Sequence, residues 1–161
     1  MQHNQHTQHG DQNHYLRLAG MIVLSFISMY VLMYSMVNSF ADVYNSLNQV
    51  YMAGLMTAPM LVIELWLMSS MYKNRKLNAV VIAVGIAAGI LFFALIRQQT
   101  LISDRQFLRS MIPHHSGAIL MCEETPLQDQ RIKELCKEII SSQRREIDQM
   151  RALLEEGAGS R

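Results

Sequence analysis

Apolar positions in this chain fall into three long unbroken runs and then a pattern of helical period, an order that predicts an all-α protein. Residues 18–37 and 77–96 contain no charge, and residues 50–71 contain one, Glu64. Each run has about the 20 residues that a helix needs to cross a hydrocarbon layer of roughly 30 Å. Ahead of them, residues 1–14 are a polar stretch of Gln, Asn and His without apolar periodicity, which reads as a disordered cytoplasmic tail. Residues 15–99 form a three-helix transmembrane domain and residues 100–161 a water-facing helical hairpin.

Capping boxes set the hairpin's boundaries. Ser103 precedes Gln106 by three residues, as Thr125 precedes Gln128, and Pro126 falls at a first helical position. Helices over 104–123 and 126–156 follow, and the short connector before Ser103, lacking Gly and Pro, lets the third span run straight on. At 100° per residue the first hairpin helix aligns Asp104, Phe107, Met111, His115, Ala118 and Cys122, with His114 and Met121 beside them. The second aligns Ile132, Leu135, Cys136, Ile139, Gln143, Glu146, Ile147, Met150, Leu153 and Leu154. Folding back at Thr125 sets His115 level with Cys136. A lone hairpin cannot cover all of this apolar surface, so it is expected to pair with another copy or another protein into a four-helix bundle.

Charge separates the two regions. Of the 27 charged residues, 20 follow residue 96, ten of each sign. A balanced tail of this kind gives no support to nucleic-acid binding, which needs a basic excess. Lys73, Arg75 and Lys76 crowd the second loop, whereas residues 38–49 carry only Asp42. The basic loop is therefore expected to be cytoplasmic, which places the N-terminus inside and the hairpin outside. The first run is too long for a signal-peptide core and reads as a retained anchor. In a bacterium this is a multi-pass inner-membrane protein with a periplasmic or extracellular domain.

Candidate chemistry concentrates in residues 111–121, where His114 and His115 lie between Met111 and Met121. Thioethers select soft Cu(I), imidazole serves copper well, and no hard oxygen cage is present for Ca or Mg. Gln143, Glu146 and Met150 interrupt or end the facing stripe, and a polar group there is a natural partner for the second nitrogen of a metal-bound imidazole. The competing reading is packing, with the Met residues filling core gaps and the His residues hydrogen-bonded. Pro113 either kinks the helix or exposes carbonyls beside the site.

Asp104, Phe107, the Met111-Ile-Pro-His114-His115 core, Ala118-Ile119 and Met121, followed by Ile139-Ile140, Gln143, Glu146-Ile147 and Met150, resemble the domain of unknown function 305 family over residues 104–154. The resemblance implies a ferritin-like helical module fused here to three membrane helices, and exported handling of copper or silver. Its implied ligands are Met111, His114, His115, Met121 and Met150. This chain departs from the family at Cys122 and Cys136, where small residues are common. An axial offset of about 10 Å, counted at 1.5 Å per residue from the bend, speaks against a disulfide between them. They read either as small buried residues or, for Cys136, as a soft thiolate ligand.

Weaker signals lie in the spans. Met52, Met56, Met60, Glu64 and Met68 recur every fourth residue, and Gly85 and Gly89 permit close helix contact. The stripe either packs or lines a metal path, and Glu64 either faces protein or reaches toward headgroups. His3, His6, His9 and His14 could hold a metal loosely. No nucleophile with an oriented base, phosphate loop or dinucleotide fingerprint is visible, so enzymatic turnover is not expected. The leading expectation is a membrane-anchored, homo-oligomeric extracytoplasmic Cu(I)-binding protein for sequestration, resistance or transfer, served by a donor or acceptor protein. An accessory subunit of a larger membrane complex and a Met-lined copper transporter are the alternatives.

Overall fold

The structure is a computed structural model that describes the backbone of residues 3–159 and the side chains of residues 13–157. The described residues are helical, as the apolar pattern requires: α1 (His3–Leu32), α2 (Leu47–Leu67), α3 (Arg75–Gln98), α4 (Asp104–Glu124) and α5 (Gln130–Gly159), with 3-10 turns at Met33–Met36 and Phe40–Asp42. Two compact units emerge, Met1–Leu32 with Val50–Thr100, and Met33–Gln49 with Leu101–Arg161. The helix of α1 begins upstream of the apolar run, in the stretch that reads as disordered from sequence. Extending a helix already nucleated by an apolar segment costs little.

Among the described residues, three segments are long and apolar enough to cross a membrane, Asn13–Met36, Leu47–Leu67 and Arg75–Gln98. In the first unit, α2 packs through small residues. A Cβ on Gly85 of α3 would lie 2.6 Å from the Leu61 side chain, and one on Gly89 would lie 3.4 Å from the Ala58 Cβ. The close approach expected of this glycine pair is therefore present. Ala53, Thr57, Ala58, Leu61 and Leu65 are buried while Met52, Met56 and Met68 are exposed, so the methionine stripe lies off the packed face. At the basic loop the Tyr15 hydroxyl donates to Asn78 Oδ1 at 2.6 Å, and Asn78 Nδ2 donates to the Tyr72 carbonyl at 2.8 Å. Burial raises the Tyr72 phenol above its ordinary pKa, and the charges of Glu64 and Tyr15 add to that shift.

α3 does not run on into the hairpin. Gln99 adopts a left-handed conformation (φ 50°) that caps α3, with its N–H on the Ile96 and Leu95 carbonyls, and Leu101 is left-handed as well (φ 61°). Absence of Gly and Pro was a poor guide here, because a competing N-cap stands just downstream. Ser103 Oγ accepts from the Gln106 N–H at 3.4 Å. The expected box is only half formed, since Gln106 Oε1 accepts instead from the Leu47 N–H at 2.9 Å.

In the second unit α4 and α5 form the expected antiparallel hairpin around Ile112, Ile119, Ile147 and Met150, with Tyr44, Leu108, Met111, Ile140 and Leu154 packed on that cluster. Two boundaries differ from the sequence reading. Thr125 ends α4 rather than starting α5, its N–H and hydroxyl both donating to the Met121 carbonyl. α5 begins at Gln130 behind Asp129, whose Oδ1 accepts from the Arg131 N–H at 2.8 Å. The Arg131 guanidinium and N–H hold the Asp129 carboxyl below its ordinary pKa, as suits an N-cap acceptor. Residues 125–129 thus stay outside both helices, and the register slides.

That slide overturns the argument against a disulfide. Cys122 and Cys136 are bonded, with Cα atoms 5.3 Å apart, inside the range a disulfide needs. The axial count assumed two helices meeting at a tight bend, whereas the non-helical linker lets α5 overhang the end of α4. Cys136 consequently faces Cys122 rather than His115. As a disulfide sulfur it is no thiolate, and the expectation of a Cys136 metal ligand does not hold for this state.

The other departure is the segment 33–49, whose residues 33–37 read from sequence as the end of the first span and residues 38–49 as a plain inter-span loop, yet which forms a third wall of the hairpin unit. Ser116 and Gly117 of α4 lie beneath it, and a Cβ on Gly117 would sit 3.1 Å from the Met36 carbonyl oxygen. Two branches at this position should force the segment away. Gly117→Val is expected to lower stability by about 1–3 kcal/mol and to raise hydrogen exchange across residues 33–49. Unchanged protection there would show that the close approach does not matter.

Candidate metal centre

α4 is continuous through Pro113, although a proline there removes one backbone donor. On the turn that follows, the His115 ring is fixed at both nitrogens. Nδ1 lies 2.9 Å from the Met111 carbonyl oxygen and Nε2 lies 2.7 Å from Glu146 Oε2 of α5. A carbonyl can only accept, so Nδ1 carries hydrogen, and Nε2 is the nitrogen that faces the carboxylate. His115 is 8% exposed, whereas Glu146 keeps 48% of its side-chain surface. The pair is therefore solvated on the carboxylate side and dry on the ring side.

One turn from each partner stands a thioether. Met150, buried in the core cluster, follows Glu146 by one turn, and Met111, packed against that cluster, precedes His115 by one turn. Thioethers and an imidazole are donors of the soft kind, but Nε2 is engaged by Glu146 and would have to exchange that contact to reach an ion. The remaining predicted ligands are not brought in. Met121 is 54% exposed, Cys136 is in the disulfide, and His114 is exposed with its ring edge toward His115 at a centroid distance of 6.2 Å. Gln143 is half-buried on α5, one turn before Glu146. Among the described residues no group of three or more His, Cys, Asp or Glu gathers to hold a metal, so a site here must draw on the methionines. The side chains of His3, His6 and His9 lie outside the described residues, and His14 is half-buried.

Sequence reasoning missed a second polar cluster, built on Asp42. This carboxylate is 5% exposed, accepts from the Ser116 hydroxyl at 2.6 Å through Oδ2, and pairs with Arg151 at 2.6 Å through Oδ1. Ser116 Oγ also accepts from the Asn38 N–H at 2.8 Å, while Asn38 Nδ2 donates to Glu123 at 3.1 Å. The cluster ties segment 33–49 to both hairpin helices, and Ser116 is the residue next to His115. Asp42 had one available signal, as the sole charge in an otherwise uncharged loop.

These features define a class, among the described residues an all-helical chain with three helices apolar enough to cross a bilayer and a compact hairpin that holds a histidine–carboxylate pair and packs two methionines in its apolar cluster. Residues 66–154 match the family described as Domain of unknown function (DUF305), and the chain belongs to that family. The match starts in α2 and takes in α3 as well as the hairpin, further upstream than the motif residues alone reach. The uncharacterized protein L153 of Acanthamoeba polyphaga mimivirus is 37% identical over 139 residues, which cover 84% of this chain and 90% of that one. An alignment of that length cannot fit within the hairpin, so the likeness extends over the apolar helices too. No solved structure matches.

Proposed function

We propose that this chain is a membrane-anchored Cu(I)-binding protein that displays its hairpin unit outside the cytoplasm for metal sequestration or transfer. One observation carries the reading: Met150 belongs to the apolar cluster against which Met111 packs, and one turn after Met111 stands a buried imidazole whose Nδ1 is already fixed by the Met111 carbonyl. Thioether sulfur with imidazole nitrogen favours a soft monovalent ion, silver included, over hard cations. Membership of segment 33–49 and the hairpin in one unit supports the topology. A chain crossing three times puts both on the same side, opposite the basic loop around Lys73, Arg75 and Lys76. Ile132, Leu135 and Leu153 of α5 remain 46–53% exposed, which supports pairing of two hairpins into a four-helix bundle.

The test uses the full chain in mild detergent, because a hairpin cut at residue 97 would lose Asp42. Titration with Cu(I) against a chromogenic chelator should show about one equivalent per chain. His115→Gln should abolish it, and His114→Gln should weaken it less. Unchanged stoichiometry in His115→Gln would remove the metal reading.

A further inference from the structure

We infer that Cys122 and Cys136 form a redox-gated second metal site, closed as the disulfide and able, once reduced, to chelate a soft monovalent ion between two thiolates. The proposal is separate from the Met111–His115–Met150 centre. It rests on three observations. The Cα atoms are 5.3 Å apart on two helices of one hairpin, so the sulfurs stay neighbours when their bond is cut. Both cysteines are only half-buried. They line a surface cleft of about 340 Å³ together with Thr125, Lys133 and Lys137. A structural disulfide is ordinarily inert because an attacking thiolate cannot reach it, whereas this one faces solvent in a cationic setting.

Charge also distinguishes the two sulfurs. Lys137 is adjacent to Cys136 in the chain and Lys133 precedes it by about one turn, while Glu123 and Glu124 follow Cys122. Cys136 is the better leaving group, since nearby ammonium groups stabilise its thiolate. The reductant is a low-potential dithiol. Its first thiolate bonds to Cys122 Sγ, the Cys122–Cys136 bond breaks, and the electron pair leaves on Cys136. Its second thiolate then attacks the first, forming the reductant's own disulfide and releasing Cys122. Two electrons have moved, and two thiolates remain on the hairpin. Two thiolates suffice for an ion content with two-coordination, such as Cu(I), but not for Zn, which takes four ligands.

The experiment compares the full chain in detergent as purified and after reduction with a phosphine that is then removed under anaerobic conditions. The reduced chain should titrate two thiols without denaturant, against none before, and should bind one further equivalent of Cu(I) in competition with bicinchoninate. Cys122→Ser with Cys136→Ser should show no gain on reduction. Lys133→Glu with Lys137→Glu, which keeps both sulfurs, should slow reduction by dithiothreitol severalfold. Thiols that appear only in denaturant, or a reduced chain with no added equivalent, would overturn the proposal. A gain on reduction in a chain that binds none as purified would uphold this site and remove the His115 centre. Binding as purified with no gain would do the reverse.

Discussion

Asp42→Ala is expected to destabilise the hairpin unit by about 2–3 kcal/mol, a large share of what holds a unit of this size together. The change strips two partners at once. Ser116, fully buried, loses the acceptor for its hydroxyl, and Arg151 loses its carboxylate. Removing one member of a buried pair typically costs about 3–5 kcal/mol because the other charge is left uncompensated. Arg151 retains 34% of its side-chain surface, so water recovers part of that and the lower figure applies. Arg151→Ala should cost at least as much, since it leaves the buried Asp42 carboxylate without a charge partner even though the Ser116 hydroxyl still donates to it. A double-mutant cycle should give a coupling of about 1–2 kcal/mol, read from thermal melts of the full chain followed by helix signal. Coupling near zero would mean that the pair is incidental and that apolar packing alone holds segment 33–49.

This cluster also marks where sequence reasoning stopped. The spans were legible because about 20 apolar residues admit few alternatives in water, and Gly85 with Gly89 signalled close packing since a Cβ would collide with Leu61. Helicity of the hairpin and the His115–Glu146 side of its seam were legible from the 3.6-residue period. Rotation about that seam was not. Phe107, placed on the buried stripe, is 50% exposed, while Ile112 is fully buried, because α4 answers to segment 33–49 as well as to α5. That segment announces itself only through isolated polar residues, and nothing in a single sequence pairs Asp42 with Arg151 across 109 positions. Register failed for a local reason. Thr125 and Pro126 carry a helix-start signature, yet the threonine side chain turns back to the Met121 carbonyl, and α5 begins only at Gln130, capped by Asp129. A shift of that size moved Cys136 from His115 to Cys122 and put Glu146 in its place.

The same register gives the sharpest test of the thioethers, the simultaneous replacement Met111→Leu with Met150→Leu. Leucine nearly matches methionine in volume and apolarity, so the fold should lose less than about 1.5 kcal/mol even though Met150 is 8% exposed in the core cluster. If the methionines only fill space, nothing else should change. If they hold Cu(I), affinity should fall by about 100-fold or more, since a lone imidazole with a carboxylate at hand is a harder and poorer site for a monovalent ion. The pair His115–Glu146 is untouched by the substitution, so its hydrogen bonds and the helical signal serve as internal controls. Selectivity should move in the same direction, with Cu(I) and silver losing most and divalent ions that prefer imidazole and carboxylate losing least. Retained Cu(I) affinity in the double variant, at unchanged stability, would assign both sulfurs to packing and remove them from the metal site.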